Sequence, residues 1–109
     1  MSTPRLKAGI FARALIRRAE VAGAYAFVAR KGSEEAGAVV LKVARLDGTC
    51  LILNQVRGGA GELAWGQVMD GAEDKASAWL EKQVKFDPDL WIIEIEDRQG
   101  RAFVDEPII

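Results

Sequence analysis

The sequence predicts an α+β protein: an antiparallel sheet of four or five strands with two helices packed on one face, in the order α-β-β-β-(β)-α-β. Three observations lead there. Apolar residues recur at helical spacing between Ala8 and Ala22, three β-rich runs separated by turn chemistry follow, and a second helical stretch leads directly into Leu90-Trp91-Ile92-Ile93-Glu94-Ile95-Glu96. At 109 residues the chain has the length of a single domain, 1–109, with a core of its own.

In the first helix Ile10, Phe11, Ala14, Leu15, Ala19 and Ala22 form the apolar stripe, Arg13, Arg17 and Glu20 fall opposite, and Gly23 ends it. The runs 24–30, 37–45 and 49–57 then read as an antiparallel meander. Its register turns on Leu46-Asp47-Gly48. A two-residue loop would set Leu41 opposite Asn54, mixing polar with apolar. A three-residue loop with Gly48 left-handed pairs Val43 with Leu51 and Leu41 with Leu53, and leaves Lys42 and Asn54 on the other face. The three-residue loop is therefore expected.

Beyond the glycine-rich segment 58–61, residues 62–69 read as a short fourth strand through the alternation of Leu63 and Trp65 with polar neighbours. Asp70, three residues before Glu73, matches a capping box that opens a second helix. That helix buries Ala72, Ala76, Trp79, Leu80 and Val84, and Asp87-Pro88 stops it. In the last strand Trp91, Ile93 and Ile95 share one side and Ile92, Glu94 and Glu96 the other. An extended tail through Phe103 and Val104 follows.

Composition excludes several function classes. The formal charge is -1, so no long-range field favours DNA or an anionic membrane. No stretch is long and apolar enough to span a bilayer, and the N-terminal 20 residues lack a signal-peptide core. With no histidine and one cysteine, Cys50, the chain builds neither a Cys/His zinc site nor a Ser-His or Cys-His nucleophile, and it forms no internal disulfide. A lone thiol within the apolar run 49–53 fits a buried, inert group in a reducing cytoplasm. No cofactor is expected.

Three sets of residues remain as candidates. Gly59-Ala60-Gly61-Glu62-Leu63-Ala64 matches a loose dinucleotide pattern but opens no helix, so a flexible loop is expected. Arg13, Arg17 and Arg18 could touch phosphate, yet a solvated helix face explains them as well, which leaves weak nucleic-acid binding as the third reading.

The sharpest candidates are Glu94 and Glu96, whose positions on one strand face lie about 7 Å apart. They could hold a divalent cation. Pro88-Asp89 ahead of Glu94 is similar to the Pro-Asp and acid-x-Lys core of restriction-type nucleases, but Glu96 stands where the lysine would be. A metal-assisted hydrolase or small-ligand enzyme using these carboxylates is thus the alternative function. Against it, Lys42, Arg30, Arg45 and Arg57 offer cross-strand partners worth roughly 0.2 to 1 kcal/mol each. The face holding Val40, Lys42, Ile52, Ile92, Glu94 and Glu96 is too apolar to be simply solvated. The leading expectation is a non-enzymatic interaction module that forms a homodimer through that face or a sheet edge.

Arg5-Leu6-Lys7-x-Gly9 with Ala14-Leu15-Ile16-Arg17-Arg18-Ala19-Glu20, the hairpin Ala36 to Gly48, and the block Phe86 to Arg98 together resemble a family of small, single-domain bacterial proteins known only as a domain of unknown function. The resemblance runs from about Arg5 to Arg101 and implies a cytoplasmic bacterial protein. It supplies no activity, cofactor or catalytic residue.

Overall fold

The structure, a computed structural model, describes residues 7–109. It contains α1 (Ala8–Val21), β1 (Tyr25–Arg30), β2 (Val39–Ala44), β3 (Thr49–Arg57), β4 (Leu63–Ala72), α2 (Glu73–Phe86) and β5 (Trp91–Glu96). The strands form one five-stranded sheet in the order β1-β5-β2-β3-β4. β5 is antiparallel to β1 and parallel to β2, so the sheet is mixed where a wholly antiparallel meander was expected. The chain lays β5 down last, returning from the β4 edge through α2 to a slot between β1 and β2.

The helices lie on opposite faces, which corrects the expectation that both cover one. α1 packs with Leu41, Val43, Leu51, Leu53, Ile93 and Ile95, and α2 with Val40, Cys50, Ile52 and Ile92. The physical reason is legible in the central strands. Val39-Val40-Leu41, Cys50-Leu51-Ile52-Leu53 and Trp91-Ile92-Ile93 are continuous apolar runs, the mark of strands covered on both sides.

Within α1 the buried positions are Ala8, Gly9, Ala12, Leu15 and Ala19, while Ile10 is half-exposed and Ala14 exposed. The stripe is rotated from the expected one toward the smallest residues, which permit close approach to the sheet. Phe11 still reaches across to stack on Trp65 of β4, ring centroids 5.7 Å apart. Gly23 closes the helix as expected: at φ 91° it donates to the Glu20 carbonyl at 3.0 Å, and Ala24 donates to the Ala19 carbonyl at 3.0 Å, a Schellman pair. A Cβ at position 23 would meet nothing within 4 Å, so Gly23→Ala should cost only the left-handed backbone penalty, about 1 kcal/mol in urea unfolding.

The β2–β3 register is the expected one, Leu41 opposite Leu53 and Val43 opposite Leu51. Gly48 takes φ 89° and Leu46 φ 65°, and the Asp47 carboxylate accepts both the Thr49 amide and its hydroxyl at 2.9 and 2.6 Å. Those Thr49 donors hold the Asp47 carboxyl below the usual carboxylate range. β4 runs to Ala72, three residues past its expected end, and α2 begins at Glu73 without a side-chain cap. Asp70 therefore does not close a capping box. It lies in β4 and accepts from Arg45 at 2.8 Å. Asp87 ends α2 as expected.

Candidate functional site

Lys42 projects from β2 onto the α2 face, with Glu94 of β5 as its parallel neighbour and Ile52 of β3 on its other side. Its ammonium lies 3.5 Å from Glu94 and 3.2 Å from Glu73 in the first turn of α2. The side chains of Lys42 and Glu94 are 13% and 18% exposed, Glu73 40%. Burial alone pulls the lysine pKa down, but Glu94 and then Glu73 more than reverse this, leaving it above the ordinary value. The trio is a charge lock that pins the start of α2 to the sheet.

Of the four cations expected to partner Glu94 and Glu96, Lys42 alone does so among the described residues, on Glu94. Arg30 donates to the Leu90 carbonyl at 2.7 Å, Arg45 to Asp70, and Arg57 to the Gly61 carbonyl at 3.2 Å. Glu96 sits opposite Tyr25 and makes no ion pair among the described residues. No three His, Cys, Asp or Glu side chains converge among the described residues to hold a metal ion. Asp97 is buried just past the strand end, where it takes Arg101 in a fork, Nε at 2.9 Å and Nη2 at 3.0 Å. These bonds hold its carboxyl below the usual range. An acid-arginine pair four apart around Gly100 was the available sequence signal for this turn.

The apolar members of the expected partner surface are internal. Val40, Ile52 and Ile92 are 4%, 0% and 8% exposed, packed with Ala76, Leu80 and Leu90. Cys50 lies in the same layer, and burial pushes its thiol pKa up, away from reactivity. The segment 58–61 turns between β3 and β4, Gly58 donating to the Glu62 carbonyl at 2.8 Å, and leads into a strand. On α1, Arg13 and Arg18 pair with Glu34 and Asp105 at 4.0 and 3.4 Å. An open hollow of about 250 Å³ near that hairpin is lined by Ala38, Gln55, Val56, Arg57 and Leu63, a set without a carboxylate.

What remains open is the rim of the sheet. α2 packs over β3 and β4, leaving the β1 end of that face beyond the helix. There Tyr25 and Phe27 stand beside Glu96 and Glu94, their rings 5.5 Å apart. Tyr25 is 57% exposed and Val28, on the other side of the same strand, 38%. The opposite edge is covered: residues 107–109 lie parallel along β4 at Trp65. The sequence pattern pairs β1 with β2 in a meander; the structure inserts β5 between them and leaves β1 at the rim.

Comparison with known proteins places this geometry among relatives. The family model described as a protein of unknown function, DUF1491, matches residues 6–105. A crystal structure of a DUF1491 family protein from Caulobacter crescentus is 46% identical, with a TM-score of 0.90 over 96% of this chain and 100% of that one. An NMR structure of a DUF1491 family protein from the same organism is 44% identical, with a TM-score of 0.86 over 98% and 99%. A solution structure of a protein from A. tumefaciens is 30% identical, with a TM-score of 0.81 over 94% and 95%. No curated protein matches the chain. The chain belongs to the DUF1491 family, whose function is unknown.

Proposed function

We propose that the protein is a single-domain, non-enzymatic interaction module that pairs with a second copy through the open edge of β1. The carrying observation is the composition of that edge: Tyr25 and Val28 are exposed on an outer strand, Tyr25 braced by Phe27. Before Arg30 the strand carries no charge, and an uncharged edge presents unpaired backbone groups to another strand, whereas soluble proteins usually blunt such edges with charge or bulges. Here the blunting sits at one end only, in the irregularity between Val28 and Arg30. The pairing surface is therefore Tyr25 to Val28. Antiparallel pairing about a twofold would extend the sheet and bring the aromatic residues of both copies onto one face, where cross-strand aromatic pairs add to the backbone bonds.

The charge distribution supports this reading. Glu94 is engaged by Lys42, so the strand carboxylates next to the edge do not form a free acid pair. A cytoplasmic setting goes with the same reading, since the one thiol is buried and no helix among the described residues is long and apolar enough to cross a membrane. Light scattering should return a dimer for the native chain. Tyr25→Lys combined with Val28→Lys should return a monomer with unchanged far-ultraviolet circular dichroism. A native chain that stays monomeric up to millimolar concentration overturns the proposal.

A further inference from the structure

We infer that the sheet face beside β1 is a receptor for an arginine side chain carried by a partner protein, with Glu96 taking the guanidinium and the rings of Tyr25 and Phe27 stacking against it. The inference stands apart from the dimer reading, because these side chains rise from the face of the sheet within one chain, whereas strand pairing uses its backbone edge.

The register brings the groups together. Tyr25 lies directly opposite Glu96, and Phe27 opposite Glu94, so each ring and its carboxylate leave the sheet on the same side with their Cβ atoms about 5 Å apart. The two rings are 5.5 Å apart and tilted by 39°, Tyr25 exposed and Phe27 half-buried. α2 packs over β3 and β4, so this corner of the face lies beyond the helix.

Charge fixes the sign of the occupant. Lys42 is shared between Glu94 and Glu73. Arg30, opposite Ile92 at the far end of β1, gives its guanidinium to the Leu90 carbonyl at 2.7 Å. Glu96 is half-buried and has no cation among the described residues. The face therefore sets three carboxylates against two cations, and the acid in excess stands beside the open ring.

The class of cation follows from the groups that would meet it. A hard metal ion needs a converging set of oxygen ligands, and no three His, Cys, Asp or Glu side chains converge among the described residues. Aromatic faces favour weakly hydrated cations. Guanidinium is one, and its planar fork of donors engages a carboxylate while its face stacks on a ring; the lysine ammonium is a strongly hydrated point charge. The protein holds one of its own arginines in this manner. Arg101 forks onto Asp97 at 2.9 and 3.0 Å, with its guanidinium carbon 4.9 Å from the centre of the Phe103 ring. Tyr25 and Phe27 with Glu96 repeat that pairing of ring and carboxylate, without an arginine from the described residues. The shelf is open, so it encloses too little of a free small cation, whereas an arginine presented by a partner's backbone arrives with neighbouring contacts.

The test is an NMR titration of the full-length chain with the capped tripeptide acetyl-Gly-Arg-Gly-amide and with its citrulline counterpart, which keeps the shape and loses the charge. The Tyr25, Phe27 and Glu96 amides should shift saturably with the arginine peptide at millimolar concentration and stay in place with citrulline. Glu96→Gln should weaken binding about fivefold and Tyr25→Leu about threefold, each with a native spectrum away from the shelf. Equal shifts with the citrulline peptide, shifts centred elsewhere on the chain, or unchanged affinity in Glu96→Gln overturns the inference. Tetramethylammonium, titrated as a free cation, should bind more weakly than the arginine peptide. Tighter binding would assign the shelf to a free quaternary ammonium and overturn the arginine reading.

Discussion

Ile52→Ala should lower the unfolding free energy by about 3 to 4 kcal/mol. Ile52 is 0% exposed, between β2 and β4 under α2, where it packs with Val40, Cys50, Ala76 and Leu80. Truncating a buried isoleucine loses the transfer free energy of the removed methyl groups and leaves a cavity that the sheet cannot close by collapsing, a combination of about 2 to 5 kcal/mol. The value discriminates between two architectures. With both helices on the Leu41 face, Ile52 would lie on an open surface and its truncation in a monomer would cost a few tenths of a kcal/mol. Urea denaturation of Ile52→Ala beside Leu53→Ala, its neighbour on the other face, measures this directly. Comparable losses are expected, because each residue sits beneath its own helix. A negligible loss at Ile52 would refute the two-sided core.

The second large effect is expected at the charge lock. Lys42→Met should destabilise by about 2 kcal/mol, mainly because Glu94, 18% exposed, is left without its cation. The double variant Lys42→Met, Glu94→Leu should recover most of that loss, since removing both half-buried charges removes the desolvation cost along with the attraction. The pH dependence follows from the raised lysine pKa. A group that titrates higher in the folded state contributes stability fully present below its unfolded value, about 10.4 for lysine, and lost as pH rises through the folded value above it. The stability difference between the native chain and Lys42→Met should therefore be flat from pH 6 to 9 and shrink above roughly pH 10.4. A difference that is already shrinking below pH 9 would show that the lysine is not held charged by Glu94 and Glu73.

Local features of the fold were legible because their causes are local. Gly23 terminates α1 through a left-handed residue, the 46–48 loop sets the β2–β3 register through face matching, and Asp87 ends α2. The Lys42–Glu94 pair was also foreseeable, since both residues fall on the same strand parity. The misplaced start of α2 shows the limit of a motif. Asp70 and Glu73 have capping-box spacing, but the ladder to β3 and the Arg45 bond keep Asp70 extended, and tertiary pairing outweighs a cap worth about 1 kcal/mol.

Strand order was the larger omission. Runs 24–30 and 37–45 follow each other in sequence, and pairing consecutive strands was the simplest assumption, yet β5 separates them. The clue lay in the doubly apolar runs of β2, β3 and β5, which a one-faced sheet does not need. The same omission misplaced the candidate surface. With α2 over Val40, Ile52 and Ile92, the apolar side chains left exposed on an outer strand of the sheet include Tyr25 and Val28 at the rim.

The sequence by itself determined where the hairpin turns, that no histidine and no second cysteine are on hand, and the type of each helix and strand, though not the boundary between β4 and α2. These follow from backbone sterics, side-chain periodicity and residue identity, all properties of a few neighbouring positions. Only the tertiary structure decided that β5 enters between β1 and β2, that the helices divide between two faces, and that, among the described residues, one sheet edge is open while the other is covered. Those outcomes depend on contacts between residues distant along the chain. Apolar burial, being non-directional, rewards any topology that covers both sides of the central strands, so the choice among topologies rests on the packing of the whole.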